Sequence, residues 1–334
     1  MVTATGGRLF VPCVVLLNND LMVTQDTQRG EVMTGIELMQ KLRTDAKFNP
    51  WIDLTKKEDV PISIDDVDSI NIVNEGLKDE CKLRIDIMPQ PFIGSPTAPL
   101  WVLMKNPGLT ALDYYDFVSV QDWDVFRLNV PWKKWHVIKR RNLFFRHGGE
   151  DIEAEMLAKR RKLALDQLTF SGSQGAEFYY FDECFKTYQS DGGRQVNGGQ
   201  DWYNQYFCTE EMGVDREEMS LNMRMKILSR KVFVLDCCPY HSCVYDDKFW
   251  PVLTRSKELW TKLVQFALEN EKNIIVRGTA VLLKVKDVNE KLFQNALSKR
   301  KIGLFKSKNA YLSANNLVFP ASDEDRGRFF SFNQ

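Results

Sequence analysis

The amino-acid sequence predicts an α/β protein, a three-layer α/β/α arrangement with a mostly parallel central sheet. Two observations lead to this prediction. Four short apolar segments have the character of strands, and the intervals between them leave room for helices. The interval between the second and third segments has apolar residues at helical spacing. Strands that alternate with helices usually pair in parallel, because a crossover helix returns the chain to the same edge of the sheet.

The four predicted strands are residues 100–104, 232–235, 273–276 and 316–319. The first of them, LWVLM, contains no polar residue, which is typical of a strand buried on both faces. A helix is predicted over residues 256–270. Asp287 and Glu290 have the spacing of a capping box, which predicts the start of another helix.

The charge balance, the cysteines and the apolar segments of the sequence limit the classes of partner and the compartment that we expect for the protein. Lys plus Arg equals Asp plus Glu, at 45 each in 334 residues, so a polyanion would need a local basic patch. The seven cysteines form no regular framework, and the N terminus lacks a secretion-signal pattern. We therefore expect a reducing, cytoplasmic compartment. No apolar segment reaches the roughly 18 residues of a membrane helix, so no membrane partner is expected.

The chain is expected to divide near residue 88. Residues 1–88 are interpreted as an amino-terminal extension packed on a main domain of residues 89–334. The interval between the first two strands is too long for one crossover helix. An inserted region is therefore expected at about residues 127–210.

A polar turn, Asn106-Pro107-Gly108, follows the first predicted strand. Proline fixes one φ angle and glycine permits a positive one, so the turn can hold Asn106 at the carboxyl end of the strand. Ligands of open α/β sheets bind at this edge. Taken alone, the tripeptide fits an ordinary turn after a buried strand equally well.

The other predicted strands also end in sequences that could line this edge. The second strand runs into Asp236 and CCPYHS, which includes His241. An imidazole at such a turn could donate to a base or phosphate oxygen, although a turn residue without such a role fits as well. The third strand runs into RGTA, and the fourth runs into PASDEDR.

Cys237, Cys238, His241 and Cys243 belong to the residue types that bind zinc. Adjacent cysteines do not readily occupy two corners of one tetrahedron, and no partner pair occurs elsewhere. We therefore interpret the cysteines as small core residues and expect no metal and no other cofactor.

The order of these four segments resembles that of the uracil-DNA glycosylase superfamily. A strand ending in Asn-Pro-Gly is similar to the first motif of its mismatch-specific branch, and the preceding PFIGSPTAP is similar to the lead-in of bacterial members. The resemblance covers residues 89 to about 326. It implies a glycosylase-like fold, DNA as a partner and a pocket for an extruded nucleobase or nucleotide.

The resemblance also implies roles for the matching residues. Asn106 would position the attacking water, while Pro107 and Gly108 would line the pocket. Asp236 or His241 would read the edge of the base.

Further roles follow for residues near these motifs. Tyr114 or Tyr115 would stack on the base, and Asp113 is the candidate carboxylate that stabilises the sugar cation. A segment that interleaves aromatic and basic side chains, and the loop after the fourth strand, would contact nucleic acid. These residues are Trp132, Lys139, Arg140, Arg141, Pro320, Ala321, Ser322 and Arg326.

Several positions depart from the family pattern. Asp236 stands where an Asn is usual, and an ionised carboxylate accepts hydrogen bonds without donating any. Position 319 is Phe rather than the His of the uracil-specific branch, and three acidic residues follow Ser322. Three functions stay open. These are a DNA glycosylase, a catalytically silent superfamily member that binds nucleic acid, a nucleotide or a partner protein, and an unrelated doubly wound enzyme that acts on a small ligand.

Overall fold

The computed structural model describes residues 32–56, 66–85, 88–108, 154–171, 182, 188–189, 195–196, 203–209, 212–242, 244–306, 312 and 316–318. The chain divides into two compact units, Met1–Val32 and Met33–Gln334, and the account below concerns the second. The boundary predicted at residue 88 lies inside this unit. None of the helices within the described ranges is long and apolar enough to cross a lipid bilayer.

The described helices are α1 (Gly35–Thr44), α2 (Val67–Glu75), α3 (Ala154–Thr169), α4 (Leu221–Lys231), α5 (Thr254–Glu269), α6 (Thr279–Val288) and α7 (Glu290–Ser298). Short 3-10 helices cover Pro50–Lys56, Asp79–Cys81 and Asp247–Phe249. The described strands are β1 (Phe92–Gly94), β2 (Leu100–Met104), β3 (Tyr188–Gln189), β4 (Gln195–Val196), β5 (Val232–Asp236), β6 (Asn273–Val276), β7 (Ile302–Phe305) and β8 (Leu317–Val318).

Six of these strands form one open, mixed sheet in the order β1-β5-β2-β6-β7-β8. The four inner strands run parallel to one another, whereas β1 and β8 pair antiparallel at the two edges. β3 and β4 form a separate antiparallel pair. The coarse prediction of an α/β protein with a mostly parallel sheet is therefore confirmed.

Both faces of the sheet are buried at its centre. Trp101 pairs in register with Phe233, and Val102 pairs with Val234 on the opposite face. All four side chains are at most 1% exposed. The Trp101 ring also packs on Phe266 of α5, with centroids 6.0 Å apart. Other segments of the protein therefore cover both faces of the sheet, as the uninterrupted apolar sequence of β2 predicts.

The predicted strands are confirmed at the centre of the sheet and corrected at its edge. β2 and β6 have their predicted bounds, and β5 extends one residue further, to Asp236. The fourth predicted strand is shorter, and β8 runs antiparallel to its neighbour β7. The short link from β7 leaves little room for the crossover helix that a parallel pairing needs.

Two helices begin at residues whose side chains cap the first turn. Thr34 and Glu37 form a reciprocal capping box at α1. At α7, the Asn289 side chain accepts a hydrogen bond from the Leu292 N–H at 3.1 Å. The capping box predicted from Asp287 is therefore shifted, since α6 continues to Val288 and Asn289 is the cap.

The start of α5 is capped by a residue that is distant in sequence. Asp66, which is 2% exposed, accepts hydrogen bonds from the Ser256 hydroxyl at 2.8 Å and from the Arg255 N–H at 3.2 Å. Burial raises the pKa of this carboxyl, and these hydrogen bonds oppose the rise. The α5 cap residue Leu253 makes no side-chain hydrogen bond, so Asp66 supplies the cap.

We expect Asp66→Ala to lower the free energy of unfolding by about 2 kcal/mol, the upper end for a lost helix cap, because buried N–H groups are left without an acceptor. Urea unfolding followed by circular dichroism measures the change. Glu258→Ala is the matched control, since Glu258 lies on the same helix and pairs with Lys262 at the surface. Equal losses in both variants would contradict the capping role.

Candidate functional site

The carboxyl ends of β2 and β5 lie side by side. Met104 pairs in register with Asp236, and the pairing continues past both strands. The Cys237 N–H donates to the Met104 carbonyl, and the Cys238 N–H donates to the Lys105 carbonyl, each at 2.9 Å. The turn after β2 is thereby held against the segment after β5, at the edge where the sequence predicts a ligand site.

The amide of Asn106 is fixed by this neighbouring segment. Its Nδ2 donates to the Ser242 hydroxyl at 3.0 Å and lies 3.4 Å from the Tyr240 carbonyl oxygen. These bonds use the donors of the amide and define its plane. Within the described residues Oδ1 of Asn106 has no protein donor, so the half-buried side chain presents an oriented acceptor at the edge.

His241 ties the same turn to a second segment. Its Nδ1 lies 2.7 Å from the Gly108 carbonyl oxygen, and its Nε2 lies 3.1 Å from the Met88 carbonyl oxygen. Carbonyl oxygens only accept, so a neutral ring can donate to one of them and an imidazolium to both. The ring is 1% exposed. Both nitrogens are therefore engaged with the backbone.

The segment that precedes β1 is also hydrogen-bonded to the end of β5 and the segment after it. The Gln90 N–H donates to the Pro239 carbonyl, and the Asp236 N–H donates to the Pro91 carbonyl, both at 2.8 Å. Pro91 and Pro239 fit the arrangement, because a proline has no N–H to satisfy and its carbonyl can still accept.

Asp236 is a buried acid at the end of β5. Its side chain is 3% exposed, and among the described residues Oδ1 has no hydrogen-bond partner. Burial raises the pKa of this carboxyl well above its ordinary value of 3.8. A protonated carboxyl carries one donor and one acceptor, as the amide of Asn does. A neutral carboxyl at this position therefore both donates and accepts a hydrogen bond.

The adjacent cysteines are core residues, as interpreted from the sequence. Cys237 is 1% exposed and Cys238 is fully buried, and burial raises the pKa of both thiols. A thiolate is therefore disfavoured at either position. In the described part of the chain, no group of three or more His, Cys, Asp or Glu side chains is arranged to hold a metal ion. Cys243 lies outside the described residues.

The partners of Asn106 are the residues that sequence reasoning missed. Ser242 and Tyr240 both lie in the CCPYHS segment, one on either side of His241. A hydroxyl near a predicted site residue could have been nominated from this segment. The carbonyl of Tyr240 could not, since every residue has one.

Eleven predicted site residues lie outside the described ranges, so their positions stay predictions. They are Asp113, Tyr114, Tyr115, Trp132, Lys139, Arg140, Arg141, Pro320, Ala321, Ser322 and Arg326. Asn106 and Asp236 lie at the same edge of the sheet, as their positions after two predicted strands indicate. Val318 of β8 pairs with Leu304 of β7, and the two strands are antiparallel. The described part of β8 therefore runs toward the end of the sheet opposite Asn106.

No family model, curated protein or solved structure matches the chain. The geometry of the β2 and β5 edge is therefore the basis for inferring the function.

The His241 contacts lead to a stability prediction. His241→Ala should lower the free energy of unfolding by about 3 kcal/mol, because the contacts of the ring with the Gly108 and Met88 carbonyls are lost and a cavity is left. His241→Gln should lose less, since an amide can still donate to one carbonyl. Urea unfolding of the three proteins gives the ranking. An unchanged His241→Ala variant would show that the ring does not hold the turn.

Proposed function

We propose that the protein binds a nucleobase, extruded from DNA, at the carboxyl edge of β2 and β5 and hydrolyses its N-glycosidic bond with a water oriented by Asn106. The observation that carries the proposal is the fixed Asn106 amide, whose Oδ1 is an oriented acceptor at the edge of the sheet where β5 ends in the buried Asp236. The motif order that resembles the uracil-DNA glycosylase superfamily, with its three-layer fold, supports the same function.

Extrusion is required because the glycosidic bond is inaccessible to an enzyme inside a stacked duplex. In the proposed complex Asp236, as a neutral acid, donates to a carbonyl of the base and accepts from the neighbouring ring N–H. Uracil and hypoxanthine both present such a pair of groups. His241 positions the Asn106 turn through the Gly108 carbonyl.

The chemistry of Asn106 limits the rate. An amide orients a water but does not take its proton near neutral pH, so the reaction depends on a weakly held leaving base and on electrostatic stabilisation of the sugar cation. We therefore expect slow release, confined to modified or destabilised bases.

A second candidate is a protein that binds the base or a nucleotide without cleaving it. One observation favours this candidate. The strand β8 runs antiparallel, so residues 320–322 follow a strand that heads away from Asn106.

A panel of oligonucleotides tests the proposal. Each carries one modified base, such as uracil or hypoxanthine, in a single strand, in a matched pair or opposite a mismatch. Incubation with the wild-type protein, followed by alkaline cleavage, reports base release. Release of at least one base supports the enzyme. Binding without release of any base supports the second candidate, and neither binding nor release would contradict both.

A further inference from the structure

Three neighbouring parallel strands are each followed directly by a basic residue. Lys105 follows β2, Arg277 follows β6 and Lys306 follows β7. The order β2-β6-β7 is continuous in the sheet, and both pairings are parallel, so the three basic residues follow the strands at the same end of the sheet. Adjacent strands lie about 4.8 Å apart, so the three strand ends span about 10 Å along the edge that carries Asn106.

Aromatic rings hold the central cation of this row. The Arg277 guanidinium carbon lies 4.5 Å from the centroid of the Tyr206 ring and 5.6 Å from that of Phe305, the last residue of β7. Burial lowers the pKa of Arg277, and the Tyr206 side chain opposes this effect. Tyr206 also forms a side-chain hydrogen bond with the guanidinium. The two rings and this hydrogen bond hold the cation in place at the end of β6, where its charge attracts a phosphate.

Lys105 lies against the turn that follows Arg277. A Cβ atom added to Gly278 would be 3.4 Å from Cε of Lys105, and Gly278 has a φ of 107°. The absence of a side chain at Gly278 thus leaves room for the Lys105 stem to cross toward β6. α6 begins directly after Gly278, so the positive end of its dipole adds to the positive potential there.

The two outer cations of the row, Lys105 and Lys306, are exposed, and neither forms an ion pair with a described residue. At the other end of the sheet, by contrast, Lys299 pairs with Glu271. Lys and Arg equal Asp and Glu over the whole chain, so the row is a local patch and not a consequence of net charge.

We propose that Lys105, Arg277 and Lys306 form a phosphate-binding edge that holds the nucleic-acid strand whose base enters beside Asn106. The placement of the base depends on the proposed function, whereas the recognition of phosphate depends on the three cations alone. An edge about 10 Å wide can meet more than one phosphate of a strand. A mononucleotide would supply the same chemistry with a single phosphate.

A salt series tests this edge. The probe is a short, fluorescein-labelled single-stranded oligodeoxynucleotide with one deoxyuridine, and its binding is followed by fluorescence anisotropy. Lys105→Gln combined with Lys306→Gln should weaken binding and reduce the slope of log K against log salt by about 1.4, because each lost phosphate contact removes about 0.7. Adding Arg277→Gln should reduce the slope further.

The matched control changes the same charge at the opposite edge. Lys299 and Lys301 both precede the amino end of β7, and Lys299→Gln combined with Lys301→Gln should leave the slope at the wild-type value. The proposal would be overturned if the double variant at Lys105 and Lys306 had the same salt slope as the wild type. It would also be overturned if both double variants lost binding affinity equally. Failure of the wild type to bind any oligonucleotide or mononucleotide would also overturn it.

Two further arms separate this proposal from the proposed function. Binding of deoxyuridine monophosphate but not of the oligonucleotide, with the same loss in the double variant, would identify a free nucleotide as the source of the phosphate. Asn106→Ala tests the base separately. A flattened salt slope in the double variant, together with no preference of the wild type for any base, would retain the phosphate edge and reject the base site.

Discussion

Asn106→Ala is expected to lower the rate of base release by at least about 10²-fold, comparable to the loss of one oriented polar group in an active site, while DNA binding stays near the wild-type level. The Asn106 amide is held by Ser242 and Tyr240 in one orientation. Removing it takes away the acceptor that orients the water but leaves the backbone of the turn, which His241 holds through Gly108.

Single-turnover release of the base identified by the oligonucleotide panel measures this effect. Asn270→Ala is the matched control, because the Asn270 side chain donates to the Met33 and Phe266 carbonyls and lies before the amino end of β6, at the opposite end of the sheet. It should lower stability without changing the rate. Loss of both binding and release in Asn106→Ala would show that Asn106 is structural, and an unchanged rate would remove it from the mechanism.

Asp236→Asn should stabilise the protein at neutral pH and flatten the pH dependence of its stability. The pKa of Asp236 is raised in the folded state by burial, so the folded protein holds the proton more tightly than the unfolded chain. The contribution of this residue is fully present below its ordinary pKa of 3.8 and is lost as pH rises through the folded value. The loss amounts to about 1.4 kcal/mol per pH unit within that window.

Urea titrations of Asp236→Asn and of the wild type from pH 4 to pH 8 give the difference between their free energies of unfolding. This difference isolates the contribution of the Asp236 carboxyl to stability. The advantage of the variant should grow as the pH rises. Asp215→Asn provides a control without such a slope, since backbone hydrogen bonds from Glu218 and Glu217 lower the pKa of Asp215 from 3.8 and its titration lies below the measured pH range. An Asp236→Asn variant less stable than the wild type at neutral pH would show that the carboxylate form is the one the fold requires.

The centre of the sheet was predictable because its sequence pattern is local. Leu100–Met104 and Asn273–Val276 are short apolar runs bounded by polar residues, and each forms a strand with the predicted ends. The edges were less predictable. β7 contains Gly303 and β1 has three residues, so neither presents a strong strand pattern. The direction of β8 depends on its pairing with β7, which no local pattern specifies.

The candidate site was also predictable only in part. The Asn-Pro-Gly turn identified the position of Asn106, because proline and glycine define a turn wherever they occur. The state of Asp236 could not be inferred, since it depends on burial by segments that are distant in sequence. The row of cations after β2, β6 and β7 becomes visible only when the strand order is known.

The most direct measurement of the central claim is the position of a bound base. Crystals soaked in uracil, at a concentration that saturates the protein in solution, should show the ring within hydrogen-bond distance of the Asp236 carboxyl and against the turn of residues 106–108. A ring bound elsewhere on the protein, with this edge empty, would contradict the account, and so would a solution titration that detects no binding of the base.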